Sequence, residues 1–186
     1  MAHIKIIDFE SAEGRLYDVY KQVIDKRGKL AEVHKIHSLN PESLLGHINF
    51  YMTVMFGKSP LTRARREMIG VLVSSCNKCH YCVMHHSASL NHYWKDKEKI
   101  RKLTDDYQNA DLSESDVAIC NYAVKLTQKP ASSEIPQLIE ELRNKGLSDQ
   151  TIHDVALVTS YFNFVNRIVL GLGAELEEDE GRGYKY

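Results

Sequence analysis

The chain has 186 residues, 43% hydrophobic and 26% charged, which is enough for one domain with a sizeable core. A formal net charge of −1 argues against a nucleic-acid footprint and against strong attraction to an anionic membrane. The longest apolar stretches look too short to span a bilayer. The opening MAHIKIIDFESAEG has no charged segment followed by an apolar one, so a cytoplasmic protein is expected.

Strand-like alternation is nearly absent and helical periodicity recurs, which predicts an all-α fold. Ser11 to Arg27 places Leu16, Val19, Tyr20, Val23 and Ile24 on one face, with Gly28 as the stop. Residues 29–40 read as irregular. Pro41-Glu42 opens a helix through Leu44, Leu45, Ile48, Tyr51, Met52 and Met55, closed by Gly57. Ser59-Pro60 resembles an N-cap followed by a first helical proline, with Leu61, Ala64, Met68, Val71 and Leu72 as the stripe behind it.

The next helix is expected from Cys79 to about Trp94, followed by a short charged one within 95–107. Residues 113–128 give another, capped by Ser113, with Val117, Cys120, Tyr122, Ala123 and Leu126 apolar and Pro130 marking its end. Glu134 to Lys145 is a short helix closed by Gly146. Ser148-Asp149 caps the last, which runs to about Leu172. That helix is apolar on more than one face, as expected at the centre of a core or at a subunit interface. The charged tail, 175–186, is expected to be frayed or used in assembly. With no repeat and no evident linker, the reading is a single domain over 1–186, with an N-terminal helical extension and an active-site core at about 41–128.

Three of the four cysteines, Cys76, Cys79 and Cys82, fall within seven residues, and Cys120 stands apart. A small secreted scaffold would spread its cysteines to close long loops; clustering points instead to redox catalysis or metal binding. Cys79 and Cys82, at i and i+3, can approach within disulfide reach on one helical turn. At a helix N-terminus the dipole would favour the thiolate, and Asn77 and Ser75 are cap-type residues just upstream. His86 lies one turn after Cys82 on the same face, where it can pass a proton. Glu67, at the edge of the preceding helix's apolar stripe, could orient His86 and favour its charged form.

These residues make the pattern Glu-x11-Cys-x2-Cys-x3-His. It resembles the AhpD-like alkylhydroperoxidase and carboxymuconolactone decarboxylase superfamily, and in particular its peroxidase-related branch. The likeness is concentrated at Leu61 to Trp94, with a second stretch at Tyr161-Phe162-Asn163-Phe164-Val165-Asn166-Arg167 and the following Gly171-Leu172-Gly173. The resemblance implies an AhpD-like all-helical fold that forms homo-oligomers. It implies that Cys82 attacks a hydroperoxide, that Cys79 resolves the sulfenic acid as a disulfide, and that Glu67 and His86 relay protons. A lipoylated or thioredoxin-like thiol protein would then re-reduce the pair. The best-studied members carry a histidine directly before the second cysteine; here that residue is Tyr81, with a histidine displaced to His80. Cys76 lies outside the pattern and could compete as a resolving thiol.

Other readings stand beside this one. The cysteine run covers part of an iron–sulfur spacing, but the fourth cysteine and its following proline are missing. Zinc would need three thiolates and His86, and ligands on consecutive turns of one helix surround a tetrahedral ion poorly. No metal and no cofactor are therefore expected. Glu67 alone would more often be a solvated partner of Arg63. The run Arg63-Ala64-Arg65-Arg66 reads as a solvated face or an interface, and His85 as a surface or interface residue. His34, His37, His47, His92 and His153 read as surface or ordinarily hydrogen-bonded histidines, and Cys120 as a buried apolar cysteine. The rival functions are a lactone decarboxylase, a class that generally lacks the cysteine pair, and a non-enzymatic thiol–disulfide sensor.

Overall fold

Local capping chemistry decides most of the chain's turning points. A computed structural model describes residues 2–177, and among these residues there are nine α-helices, two short 3-10 turns and no strand. Helix α1 (Gly14–Arg27) ends at Gly28, whose φ of 87° suits a residue without a Cβ. The irregular segment that follows holds one four-residue helix, α2 (Glu32–Lys35). Asn40 caps α3 (Pro41–Phe56), with Pro41 at the first turn as expected.

Helix α4 (Arg63–Cys76) starts later than Ser59-Pro60 suggests. Its cap is Thr62, which accepts from the Arg65 amide. Ser59 instead turns the loop, accepting from the Leu61 amide and donating to the Asp154 carboxylate, so the hydroxyl ties α4's approach to the last helix. Helices α5 (His80–Trp94), α6 (Lys97–Asp106), α7 (Glu114–Gln128) and α8 (Ile135–Asn144) follow, and α9 (Asp149–Leu172) is capped by Ser148.

The hub is α4, which buries every residue from Arg66 to Ser74 and packs against α5, α9 and α7. A helix covered on all sides cannot show a narrow apolar stripe, and α4 does not. A second, smaller cluster joins Leu16, Val19, Tyr20 and Val23 of α1 to Leu44 and Ile48 of α3; this is the N-terminal extension docking on the core.

The last helix needs a correction. At 24 residues, with an 18-residue window of mean hydropathy 1.4, α9 is long and apolar enough, by length and composition alone, to cross a membrane. Its composition follows from its position in the protein. Val155, Val158, Phe162, Val165 and Val169 enter the core, and the buried Thr159 and Asn166 keep hydrogen bonds inside it. Of the tail, residues 178–186 lie outside the described residues, and Glu177 is the last with a stated place.

Helix α4 meets Phe162 of α9 at Gly70. A Cβ there would lie 2.5–3.0 Å from three ring atoms of the fully buried Phe162. Gly70→Ala gains about 1 kcal/mol of helix propensity but overpacks a ring that cannot move, at a cost of up to about 3 kcal/mol. The expected result is a net loss of about 1–2 kcal/mol, read as a lower denaturation midpoint at unchanged m-value.

Candidate active site

Helix α4 ends in a turn that delivers Cys79 to the start of α5. The Cys79 amide donates to the Ser74 carbonyl at 2.9 Å and the Lys78 amide to the Ser75 carbonyl at 2.9 Å, the paired bonds of a Schellman ending. Lys78 adopts φ 57°, a left-handed conformation more natural for glycine, at a cost of about 1 kcal/mol. Cys79 is itself the N-cap of α5, and Cys82 sits in its first turn. Asn77 and Ser75 do not cap α5 as their types suggested. Asn77 ends α4 and donates to Asn163 and Asn166 of α9, and Ser75 donates to the Thr104 carbonyl of the loop-side helix α6.

The two sulfurs lie 3.0 Å apart as free thiols. They titrate as a pair. Cys79 is held below the usual thiol range by hydrogen bonding from the Cys82 thiol, against its own burial, with help from the Cys82 amide. Cys82 is pushed well above that range by the same Cys79 contact, then by burial and by the neighbouring sulfur's charge; a hydrogen bond from Asn166 opposes the rise. One proton therefore leaves the pair more readily than from an ordinary thiol and the second less readily.

Glu67 is completely buried and joins two partners. Its Oε2 lies 2.7 Å from His86 Nδ1. Its Oε1 accepts from Arg63 Nε at 2.8 Å and from Arg63 Nη2 at 2.5 Å. Burial alone would raise this carboxyl's pKa; contact with His86, and then with Arg63, outweighs it and holds the pKa below the ordinary 4.5. The surface pairing with Arg63 and the orienting contact to His86 are thus both present in one buried triad. His86 also meets the edge of the Phe162 ring, with centroids 4.5 Å apart.

Cys82 and His86 open onto a cavity of about 70 Å³. Cys79, with no exposed surface, does not line it. Three tyrosines, Tyr51, Tyr81 and Tyr161, form aromatic walls, and the N-terminal extension contributes Arg27, Val33 and His34. Tyr81, where the family pattern has a histidine, accepts from the Val33 amide at 3.2 Å and donates to Glu177 at 2.8 Å. It ties α5 to both ends of the chain, while the displaced His80 is exposed.

Several expectations change. His85 is a cavity residue, bonded through Nε2 to Glu177 at 2.8 Å, whose carboxyl is drawn down to about 2 despite burial. His34, His37 and His47 follow the hydrogen-bonded reading and not the surface one, and are buried. The arginine run is mostly turned to partners within the chain, with Arg65 still 30% exposed. Arg63 serves Glu67, Arg65 bonds Asp116, and the buried Arg66 donates to the carbonyls of Leu61, Val54 and Gly57. Cys120 is buried and apolar as expected, with its thiol pushed up by burial. Among the described residues, no three His, Cys, Asp or Glu side chains converge as a metal-ligand group. Nothing in the sequence pattern distinguishes the cavity's N-terminal residues, because their partners lie far along the chain.

Residues 41–106 match the model of the carboxymuconolactone decarboxylase family. No curated protein matches the chain. Among solved structures, the alkylhydroperoxidase AhpD core of an uncharacterized peroxidase-related protein from Ralstonia eutropha JMP134 is 24% identical, with a TM-score of 0.85 over 97% of this chain and 94% of that one. An uncharacterized peroxidase-related protein from Silicibacter sp. TM1040 is 28% identical, with a TM-score of 0.83 over 98% and 97%. The debrominase Bmp8 shares the fold at 18% identity, with a TM-score of 0.78 over 96% and 94%.

Replacing Glu67 by Gln keeps the shape and strands the Arg63 guanidinium, so a loss of about 3 kcal/mol in unfolding free energy is expected at neutral pH. The folded carboxyl titrates below its unfolded value of 4.5, so its contribution is complete above pH 4.5 and is lost as pH falls through the lower folded value. Denaturation of both proteins across pH should therefore show their difference shrinking on acidification below pH 4.5.

Proposed function

We propose, from the match of residues 41–106 to the carboxymuconolactone decarboxylase family model and the likeness to peroxidase-related structures, that the chain is a cytoplasmic thiol peroxidase of the AhpD-like superfamily for hydrogen peroxide or small alkyl hydroperoxides. The observation that carries this reading is the meeting of a proton-sharing sulfur pair with a buried Glu67–His86 contact at one small cavity.

Access and acidity divide the two thiols. Cys79 is the more acidic but is closed off, and Cys82 is the one at the cavity. Across 3.0 Å a single proton can move between them, so the charge reaches Cys82 when Cys79 holds the hydrogen. The Cys82 thiolate then attacks the terminal peroxide oxygen. An S–O bond forms, the O–O bond breaks, and the electron pair leaves with the alkoxide. The Cys79 thiolate displaces hydroxide from the resulting sulfenic acid, and with one proton that hydroxide becomes water and the disulfide is complete. His86, oriented by Glu67, exchanges protons during these steps.

An external dithiol, such as a lipoylated or thioredoxin-like protein, re-reduces the pair, and the chain works as a homo-oligomer. The aromatic cavity walls favour one second reading. Since Bmp8 is described as a debrominase and one of its cysteine-to-alanine variants was solved with 2,3,4-tribromopyrrole, the same thiols could remove halogen from a flat ring.

The test is peroxide consumption by the reduced chain with a dithiol reductant. Multiple turnovers, abolished in Cys82→Ser and reduced to a single oxidation event in Cys79→Ser, are expected. A readily formed disulfide without turnover would favour a sensor. Bromide release from 2,3,4-tribromopyrrole without peroxide consumption would overturn the peroxidase in favour of dehalogenation.

A further inference from the structure

A second line of polar groups leaves the cavity between α3 and α9, separate from Arg63, Glu67 and His86. The Tyr161 hydroxyl lies 2.8 Å from His47 Nε2, His47 Nδ1 lies 3.2 Å from His37 Nε2, and His37 Nδ1 lies 3.2 Å from the Ser43 hydroxyl. Tyr161 and His47 line the cavity with Cys82, whereas Ser43 is exposed on the outside of α3. Tyr161, His47 and His37 are all buried, so the file crosses the protein wall from solvent to the cavity that Cys82 lines.

Both nitrogens of both rings are engaged. A histidine buried for packing needs its N–H satisfied; it does not need a second ring on one side and a cavity hydroxyl on the other. His34, nearby, shows the simpler case: its Nδ1 accepts from the Ala31 amide and it takes no part in the file. Burial pushes His37 below the usual histidine range and His47 down to about 3, so both rings are neutral near pH 7. A neutral ring has one N–H and one bare nitrogen, which lets a row of them point one way at a time. The Ser43 hydroxyl sets the direction. It donates to the Asn40 carbonyl at 2.8 Å, or rotates to donate to His37. In the second state every link donates inward, and the Tyr161 O–H is directed to the cavity.

We propose that Ser43, His37, His47 and Tyr161 form a proton path, and that Tyr161 protonates the oxygen leaving the hydroperoxide; the proposal rests on the peroxidase reading above. When Cys82 takes the terminal oxygen, the O–O electron pair departs on an alkoxide. Tyr161 gives its proton to that alkoxide, forming the alcohol, and regains one from His47 Nε2. His47 Nδ1 is refilled from His37 Nε2, His37 Nδ1 from Ser43, and Ser43 from water. The proton that Cys82 loses stays with Cys79 and His86, so the two relays serve opposite ends of the breaking bond.

The experiment compares two oxidants in a single turnover of the reduced full-length chain, following loss of free thiol by rapid quench, alkylation and mass spectrometry. Tert-butyl hydroperoxide expels a strongly basic alkoxide that needs the proton. Peracetic acid expels a carboxylate that does not. Tyr161→Phe and His47→Gln are expected to slow the first reaction ~100-fold and the second by less than ~3-fold. Equal slowing with both oxidants would make the residues part of the cavity wall only, and unchanged rates would place the proton source elsewhere; either overturns the path. If the buried variants fail to fold by circular dichroism, the comparison moves to the exposed Ser43→Ala. Slowing confined to tert-butyl hydroperoxide would then support the path, and no change would overturn it. A wild-type chain that neither oxidant converts at Cys82 would instead bring down the peroxidase reading itself.

Discussion

A carboxylate with no exposed surface holds this structure's chemistry in place. Taking Glu67 out of water is tolerable only because Arg63, one turn earlier on α4, and His86, on α5, supply charge-assisted hydrogen bonds to both of its oxygens. The contact crosses the largest helix pairing in the fold and so fixes how α4 and α5 lie against one another. The same contact fixes which nitrogen of His86 faces the carboxylate. Arg63 is braced in turn by the Met55 carbonyl and by the face of Phe56, 3.7 Å from its ring centroid, so α3 joins the same lock.

The N-terminal extension completes what this lock begins. Cys82 and His86 alone would sit on an open helix face. The α1–α3 cluster lays Arg27, His34 and His47 across that face, and Tyr81 and Glu177 pin the extension and the chain's other end to α5. Burial of the sulfur pair strengthens each electrostatic contact there.

Local signals were legible in the sequence and distant ones were not. The caps Ser113 and Ser148 act within one turn of themselves, and the structure places them as read. The spacing from Glu67 through Cys79 and Cys82 to His86 spans one helix pair, and the structure brings those four side chains to one region. Ser59-Pro60 misled because its hydroxyl answers to Asp154, 95 positions away. His47 looked ordinary because its decisive partner, Tyr161, is 114 positions on. Arg66 looked solvated because a charge run says nothing of the carbonyls a loop will present to it; three of them surround its guanidinium. Periodicity sees a helix's own faces, and cannot see which distant backbone or ring will meet them.

The division between Cys79 and Cys82 follows from that geometry. A thiol made acidic by a helix N-terminus would be the reactive one wherever both sulfurs were equally open. Here Cys79, whose charge is favoured first by the Cys82 thiol and then by the Cys82 amide, is buried beneath the turn from α4, and the sulfur one turn on reaches the cavity. Burial that raises the Cys82 thiol also removes water from its thiolate, and a thiolate of higher proton affinity is the stronger nucleophile once formed. In the proposed peroxidase the 3.0 Å contact would reconcile the two demands, with the enclosed Cys79 storing the charge and Cys82, at the cavity, using it. The Asn166 amide, held by Asn77 and Ser74, supports Cys82 in its charged form, so a residue of the last helix takes part in the balance set by the turn at the start of α5.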